Sequence, residues 1–395
     1  ALGSTGPELH EHVVAALSTP IPSRIVATAP WQEVVVDEPD LRAELPVPTF
    51  FEGEGGPYLT AGFFVANDPQ TGAANLSIAR IRLLDGARCL VGIAPNHHLA
   101  AFARRAAADG RELPVAVCLG VEPAVLLASC LYLALGEDEL PYAGGLARSP
   151  IEVVERTGLR VPAECEIVLE AVIHPDEFVD EGPVSEFHGM YESYGPAPVL
   201  TVRRLCRRRD AFLQVIEPGL HREHIVLGAA AIEAGLARTL RRQIPSVRAV
   251  RVTDEGAGRL AARVALGPHR AGEAKRVMFA VWAAVSLVRS VVVVDEDLDL
   301  ADAFAIDRAT TLRVRPERDI LIVADVVADR ADPVSAHDRA GRLGVDATRN
   351  PEDRDWTPAR PPDAVTERIQ TLAARLRDVD LHGVDPQCEK TTPNL

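Results

Sequence analysis

The chain has 395 residues, of which 47% are apolar and 25% are charged, and these values, typical of globular proteins, exclude wholesale disorder. Its formal charge of −15, from 42 basic and 57 acidic residues, argues against nucleic acid or an anionic membrane surface as a partner. The longest apolar run without a charge, residues 124–135, is too short to cross a bilayer. Six scattered cysteines without a C-x-x-C pair predict reduced thiols and a cytoplasmic location.

The first half of the chain predicts many short strands and few helices. Residues 8–18 have helical periodicity, and residues 49–66, with their aromatic, glycine and proline residues, are typical of a strand pair. This alternation favours a barrel-like or split-sheet module. The further strands are expected at residues 88–94, 115–119, 165–173, 199–205 and 212–217, and the further helices at residues 98–109 and 124–135.

The second half has a different pattern. Residues 225–244 predict a helix that stops at Pro245, and a strand pair is expected at 247–253 and 259–266. A helix over 273–289 and a buried strand at 291–294 follow, which together describe a compact α/β domain. Because most soluble oligomers are symmetric pairs, we expect its surface to form a homodimer.

The end of the chain has a separate composition. Residues 351–362 are rich in proline and predict a linker. An amphipathic helix is expected at 363–377, followed by a polar tail.

The segment most informative about chemistry is the stretch EGPVSEFHG at residues 181–189. Its two carboxylates, Glu181 and Glu186, lie five residues apart around a Gly-Pro pair that disfavours a helix. Such a loop can point both acids into one cavity, where like charge and burial push their pKa values apart. One acid would then stay ionised while the other holds a proton. The alternative is a solvated turn, since exposed acids are common in Gly-Pro loops.

A second segment combines candidate metal ligands with an arginine. Asn75 and the pair His97-His98 offer an amide oxygen and imidazole nitrogens, which suit a hard or borderline divalent cation. Arg80 offers a bidentate fork for a carboxylate. The alternative is a strand, a turn and a strand with two surface histidines, because no zinc-type spacing is present.

Seven motifs in order make the chain resemble the UbiD-type decarboxylases, a family that depends on prenylated FMN. The similarity runs from about residue 60 to residue 349. The motifs are N-x-x-x-x-R at 75–80, D-G at 85–86, L-P-V-A-V-x-L-G at 113–120, E-x-x-x-A-G-x-L at 139–146, E-G-P-x-x-E-x-x-G at 181–189, V-V-V-V-D at 291–295 and G-x-D-A-T at 344–348.

The resemblance implies an α/β (α+β) fold with a central split β-barrel that binds the flavin. In this interpretation residues 1–65 form a small N-terminal α/β segment and residues 66–220 form the split-barrel domain. Residues 221–350 form a C-terminal α/β dimerisation domain, and residues 351–395 form the linker, the last helix and the tail.

The resemblance also implies a divalent cation, manganese or a similar ion, that bridges the flavin phosphate to the protein, with potassium as a further candidate. By position its ligands are Asn75, His98 and Glu139. The spacing from Asn75 favours His98 over His97, which would then lie along the cofactor, although the choice between them stays open. The full set of expected cofactor contacts is Asn75, Ser77, Ile78, Ala79, Arg80, His97, His98 and Glu139.

The family's catalytic trio maps onto Arg80, Glu181 and Glu186. Arg80 would pair with the substrate carboxylate and keep Glu181 ionised, and Glu186 would protonate the carbon that loses carbon dioxide. The cofactor, supplied by a flavin prenyltransferase, would act as the electron sink that an α,β-unsaturated acid requires. Less bulk at Ala79 and Gly92 than in many relatives predicts a roomier pocket, and with it a natural-product substrate such as a polyketide-like acid.

Two other functions remain open at this point. The same site could reversibly decarboxylate an aromatic or heteroaromatic acid. The chain could also be a non-catalytic flavin-binding protein, although such a protein has no need of an acid pair.

Three further positions carry weaker signals. His221 and His224 lie three residues apart near a helix start, but no third ligand is near, so we interpret them as surface or interface residues. His188, inside the acid loop, is a candidate for lining the pocket, and Arg342 is a candidate for a phosphate or packing contact.

Overall fold

The structure is a computed structural model that describes residues 6–335, 338–350, 359 and 361–377. The chain separates into two compact units, Ala1–Arg349 and Asn350–Leu395. Most of the predicted linker and the predicted tail lie outside the described residues. No helix in the described parts of the chain is long and apolar enough to span a membrane.

The N-terminal part of the first unit supplies strands to two sheets. Trp31 anchors it, since its side chain is fully buried and its indole Nε1 donates a hydrogen bond to the Pro162 carbonyl at 3.1 Å. Residues 49–66 contain two strands, as predicted, but these do not pair with each other: β3 pairs with β6, and β4 pairs with β5 and β8. The elements here are α1 (Gly6–Ala16), β1 (Arg24–Ile25), β2 (Val34–Asp37), α2 (Leu41–Glu44), β3 (Tyr58–Leu59) and β4 (Phe63–Asn67).

The centre of the first unit is a nine-stranded sheet whose strands run in the order β3-β6-β7-β14-β11-β8-β4-β5, with β2 paired to β14. A short sheet β1-β9-β10 and the hairpin β12-β13 accompany it. Its elements are β5 (Ala74–Ile78), β6 (Arg80–Asp85), β7 (Arg88–Gly92), α3 (His98–Ala108), β8 (Leu113–Leu119), α4 (Pro123–Ala128), α5 (Leu140–Ala147), β9 (Glu152–Arg156), β10 (Leu159–Pro162), β11 (Ile167–Asp180), β12 (Pro183–Ser185), β13 (Tyr191–Ser193) and β14 (Pro196–Arg207).

The C-terminal part of the first unit is a five-stranded sheet of order β15-β16-β17-β19-β18. The predicted strand pair is confirmed as the antiparallel pair β15-β16, and the predicted buried strand lies in parallel pairing between β16 and β19. The elements are α6 (Arg222–Gln243), β15 (Val247–Val252), β16 (Ala261–Leu266), α7 (Glu273–Ala284), β17 (Ser290–Asp295), α8 (Ala303–Arg313), α9 (Pro316–Asp319), β18 (Ile320–Val327) and β19 (Arg339–Asp346), and the second unit contributes α10 (Asp363–Arg377).

The sheet path of the described residues does not close on itself, so there is no closed barrel. The mixed α/β class predicted from the sequence is confirmed. The finer description as a split-barrel flavin domain, and the division of the first unit at residues 65 and 220, stay predictions.

Three predicted elements differ from the structure. Residues 212–217 form no strand, because Phe212 and Ile216 donate their backbone N–H groups to the side chains of Glu166 and Thr60. The helix predicted over 124–135 ends at Ala128, since the next carbonyl, that of Ser129, accepts a hydrogen bond from Ile78 in β5.

The helix predicted over 273–289 ends at Ala284, where the buried β-branched residue Val285 takes up extended geometry. Strands β18 and β19 are absent from the sequence prediction. Arg342 in β19 is 2% exposed and donates to the carbonyls of Ser286 and Val327, so it makes a packing contact.

Candidate active site

A cavity of about 410 Å³ lies between the central sheet and the C-terminal part of the first unit. Its volume is in the range typical of small-molecule sites. The walls come from the β5–β6 segment, the residues around α3 and α5, the β12-β13 hairpin, the start of α6 and the segment after β18.

Arg80, on the cavity wall, joins the two predicted acids, of which Glu186 also lines the cavity. Its Nε and Nη2 atoms donate to the two carboxylate oxygens of Glu181 at 2.6 and 2.8 Å, and its Nη1 donates to Glu186 at 3.1 Å. Glu181 is 1% exposed and Glu186 is 8% exposed. The acid loop is therefore no solvated turn, and the three side chains converge as the sequence predicts.

The local backbone explains this convergence. Glu181 follows the end of β11, and Gly182 turns the chain with φ +71°, a conformation that favours glycine. The short hairpin β12-β13 then brings Glu186 back towards Arg80, and the Glu186 N–H donates to the Met190 carbonyl at 3.0 Å. Arg82 holds the turn in place by donating a hydrogen bond to the main-chain oxygen of Glu181 at 2.5 Å.

Gly92 lies opposite Arg80 in the β6-β7 pair. A Cβ there would lie 2.6 Å from the Nε and 2.7 Å from the Cγ of Arg80. The missing side chain therefore makes room for the arginine at this point. Gly92 and Ala79 both line the cavity.

The charges around Glu186 determine its protonation. Burial by itself raises the pKa of this carboxyl, but the positive charge of the Arg80 guanidinium, together with that of Arg259, lowers the pKa of Glu186 below its ordinary value. The resting site therefore holds Glu186 ionised near neutral pH. The ring of Tyr194 lies 5.1 Å from the Arg80 guanidinium carbon, and burial raises the pKa of its hydroxyl well above the usual range.

The predicted metal ligands also converge, around Asn75 in β5, the strand that precedes Arg80. Asn75 Nδ2 donates to Glu139 Oε1 at 2.8 Å and lies 3.2 Å from His98 Nδ1. The other oxygen of Glu139 accepts the Leu76 N–H at 2.7 Å, and Ser77 Oγ donates to Asn75 Oδ1 at 2.5 Å.

Burial decides the state of this cluster. Glu139 is 2% exposed and has no salt bridge to a cationic side chain among the described residues, so burial raises its pKa to about 8. Of the two candidate histidines, His98 is the one beside Asn75. His97 caps the start of α3 and lines the cavity next to the segment 329–331, and burial lowers its pKa.

The sequence reasoning missed several residues of the cavity wall. Tyr194, Arg259 and Arg330 line it without any motif that marks them. Arg330 follows β18, a strand that the sequence did not predict, and its guanidinium carbon lies 4.3 Å from the Tyr194 ring centroid.

Two histidine interpretations were wrong. His224, interpreted as a surface residue, lines the cavity, because α6 begins earlier than predicted and turns its first residues towards the acid loop. His188, a candidate lining residue, does not line it, since its ring packs edge-on against Phe187 instead.

Comparison with known proteins gives the family. The chain matches the model of the UbiD domain, described as the 3-octaprenyl-4-hydroxybenzoate carboxy-lyase Rift-related domain, over residues 24–221, and the model of the C-terminal domain of the same lyase over residues 225–347. The chain therefore belongs to the UbiD family, and it is a UbiD-like carboxy-lyase.

Individual relatives agree with this assignment. The anhydromevalonate phosphate decarboxylase of Methanosarcina mazei is 33% identical over 344 residues, which cover 86% of this chain and 80% of the relative. The UbiD-class enzyme HmfF from Pelotomaculum thermopropionicum, solved in complex with FMN, is 36% identical with a TM-score of 0.85 and covers 91% of this chain and 82% of its own.

A more distant structure has the same fold. The vanillic acid decarboxylase of Sedimentibacter hydroxybenzoicus is 25% identical with a TM-score of 0.85, over 95% of this chain and 83% of its own. An evolved dimeric form of HmfF was solved with prenylated FMN. Neighbours of this chain therefore bind FMN or its prenylated form.

The cavity residues fit such a cofactor with its cation. Asn75 now turns its amide nitrogen towards Glu139 and His98, and a half-turn of the amide would present its oxygen instead. A divalent cation there would then have two oxygen donors and one imidazole, and it would supply the counter-charge that the buried Glu139 lacks. The Tyr58 hydroxyl and His224 Nδ1 are buried without a hydrogen-bond partner and line the cavity, which leaves them for a polar ligand.

Proposed function

We propose that this protein catalyses the non-oxidative decarboxylation of an α,β-unsaturated carboxylic acid with prenylated FMN. The observation that carries the proposal is the joint contact of Arg80 with two acids: the fully buried Glu181 behind it, and Glu186, which lines the same cavity as Arg80. A protein that merely binds a flavin would have no use for two buried acids on one guanidinium.

The cofactor would be held by the cluster around Asn75. Asn75, His98 and Glu139 would hold a manganese or similar divalent cation that neutralises the flavin phosphate, which is how an acidic chain with two lysines can bind this group. Ser77, Ile78, Ala79, Arg80 and His97 would line the ring system. The bound cofactor supplies an electron sink for the carbon that loses carbon dioxide.

The protein's own steps are positioning and proton transfer. Arg80 exchanges part of its contact with the two glutamates for the substrate carboxylate, while Glu181, with two hydrogen bonds to Arg80, holds the guanidinium in place. The incoming carboxylate adds a negative charge beside Glu186, and it pairs with Arg80, which weakens the contact of Arg80 with Glu186. Both changes raise the pKa of Glu186. Glu186 can then take up a proton and deliver it to the carbon that carbon dioxide has left.

A second candidate is the reversible decarboxylation of an aromatic or heteroaromatic acid. Its support is the vanillic acid decarboxylase among the structural neighbours, with a TM-score of 0.85. The two candidates use the same three side chains and differ in the shape of the acid.

The test is production of the full chain together with a flavin prenyltransferase. We expect the absorbance and mass spectra to show prenylated FMN, and we expect carbon dioxide from a panel of unsaturated acids but little from aromatic acids. Ordinary FMN alone on the protein, with no acid consumed, would contradict the proposal. Carbon dioxide from aromatic acids only would select the second candidate.

The proton donor has its own control. Glu186→Gln keeps the volume of the side chain but cannot donate a carboxyl proton, so turnover should fall by about 100-fold or more. Glu192→Gln, a neutralised glutamate in β13 outside the cavity wall, should keep its activity. Equal turnover of the Glu186 variant and the parent would remove Glu186 from the mechanism.

A further inference from the structure

Arg259 lines the cavity without a salt bridge to any carboxylate in the described part of the chain. It lies in the turn between β15 and β16, and its guanidinium carbon lies 4.7 Å from the centroid of the Phe187 ring. Its Nη1 atom lies 3.5 Å from the main-chain oxygen of His224, at the outer limit of a hydrogen bond. The guanidinium thus has a ring, a peptide oxygen and Gly228 as neighbours, and no carboxylate within salt-bridge distance among the described residues.

Arg259 differs in this respect from Arg80. The protein has 57 acidic residues against 42 basic ones, so carboxylates are abundant, and Arg80 in the same cavity has two of them. Burial lowers the pKa of the Arg259 guanidinium, which is the expected cost of holding a charge away from water without a partner. A guanidinium kept in this state suits an anionic oxygen group that arrives with a ligand.

His224 offers a second polar atom beside Arg259. Its Nδ1 is buried and has no hydrogen-bond partner. Burial, together with the positive charge of Arg259, lowers its pKa to about 4, so the imidazole is neutral at pH 7. A neutral ring can donate a hydrogen bond to an anion from one nitrogen.

The position of Arg259 places it with the acids. It stacks on Phe187, the residue directly after Glu186, and its charge acts on Glu186. The Asn75–Glu139 cluster is held by other contacts, from Asn75 and from the Leu76 backbone. Arg259 therefore faces the side of the cavity where we propose that the substrate reacts.

We infer that Arg259 and His224 bind a second anionic group of the substrate, so that the enzyme acts on an unsaturated acid that also carries a carboxylate or a phosphate. The inference rests on the proposed function, because it takes the first carboxylate to be the one at Arg80. It makes Arg259 a specificity-determining residue, one that selects dianions over monoanions.

The test compares two acids that differ in one terminal group. But-2-enoate has a methyl group where pent-2-enedioate has a carboxymethyl group, and 4-phosphooxybut-2-enoate carries a phosphate at that end. Binding to the flavin-loaded enzyme is followed through the change in flavin absorbance. We expect the parent to bind both dianions about 10- to 100-fold more tightly than but-2-enoate, as a charge-assisted pair predicts.

Substitutions test whether Arg259 causes the preference for dianions. Arg259→Gln should lose the preference for the dianions, so that its affinities for the dianions and for but-2-enoate become similar, and Arg259→Lys should keep part of the preference. Arg251→Gln, which removes the same charge from β15 outside the cavity wall, should behave like the parent. Flavin content is measured for every variant.

Several outcomes would overturn the inference. Equal binding of the monoanion and the dianions by the parent would refute it and leave the proposed function intact, and this comparison needs no variant. Loss of flavin from Arg259→Gln would assign the arginine to the cofactor phosphate instead. A flavin-loaded parent that bound none of the acids would count against the proposed function as well.

Discussion

Gly92 matters for the site because it has no Cβ. Arg80 occupies the space that a Cβ would fill, and the arginine cannot easily move away, because its Nε and Nη2 are both bonded to the buried Glu181. An exposed arginine would swing aside at little cost, but this one is fixed at its far end. The close approach therefore makes position 92 a sensitive probe of the geometry of Arg80.

We predict that Gly92→Ala displaces Arg80 and lowers kcat by about 10- to 100-fold, as expected for a shift of about 1 Å in a positioning group. The measurement is steady-state carbon dioxide release, together with Tm to show that the protein stays folded. The matched control is Gly235→Ala in α6, where the Cβ would meet nothing closer than a Tyr132 carbon at 3.9 Å. Unchanged kcat in Gly92→Ala would show that Arg80 tolerates the movement.

The protonation of Glu186 gives a prediction on pH. Arg80 and its neighbours lower the pKa of Glu186 in the free site, so the acid is ionised above that lowered pKa. A bound carboxylate raises the pKa, so between the two values the complex holds a proton that the free protein does not. We predict the uptake of up to about one proton per site when a saturated, unreactive acid binds.

Calorimetric titration of 3-phenylpropanoate in two buffers with different ionisation enthalpies measures this uptake. Glu186→Gln should abolish it. Uptake that persists in that variant would mean that another group, such as His224, is titrating.

At the scale of secondary-structure elements, the consecutive strands β5 and β6 each carry one half of the candidate site. Asn75 lies in β5 and Arg80 begins β6, and Ala79 is the single residue between the two strands. The residues that meet them come from α3, α5 and the β12-β13 hairpin. Ser185 in β12 donates to Glu54 at 2.6 Å, and the Gly53 N–H donates to Tyr191 in β13 at 3.0 Å, so both strands of the hairpin are anchored to the N-terminal part.

At this scale we predict that Glu139→Gln weakens metal binding by at least about tenfold, because the variant loses the one charged ligand of the cluster. Flavin retention should fall with it, since the cation would neutralise the phosphate. Metal content by mass spectrometry and the ratio of flavin to protein are the measurements. Glu155→Gln, an exposed glutamate in β9, is the control. Full metal and flavin content in Glu139→Gln would separate Glu139 from the cation.

For the whole molecule, the C-terminal sheet leaves an apolar surface exposed. Strand β18 is at the edge of that sheet, and Ile322 in this strand is 74% exposed. Such an edge invites pairing with a second chain unless something covers it. The other large exposed apolar side chains of this part include Phe279, Phe304, Val327 and Leu343.

We therefore predict a homodimer through this surface. Ile322→Arg should shift the protein to the monomer, because it places a charge at the centre of an apolar contact. Light scattering after size-exclusion chromatography gives the mass. Ile25→Arg, an equally drastic change at an exposed position of β1, should leave the dimer intact. A parent protein that is monomeric, or an Ile322 variant that stays dimeric, would contradict the prediction.

The sequence by itself determined the class of fold and the family, because these depend on short patterns. The spacing from Asn75 to Arg80, the Gly-Pro turn between Glu181 and Glu186, and the β-branched run of β17 each constrain the chain locally. Their convergence could be expected only through the resemblance, which supplied the long-range pairing.

Tertiary structure alone decided the rest. The helix that begins at Pro123 ends at Ala128 because the Ser129 carbonyl accepts a hydrogen bond from β5. Within residues 212–217, backbone N–H groups donate to side chains instead of to a neighbouring strand. Arg259 and Arg330 reach the cavity from distant segments that carry no motif, and the absent Cβ of Gly92 gives room to the Arg80 side chain. These features depend on contacts between residues far apart in the chain, and local patterns do not encode such contacts.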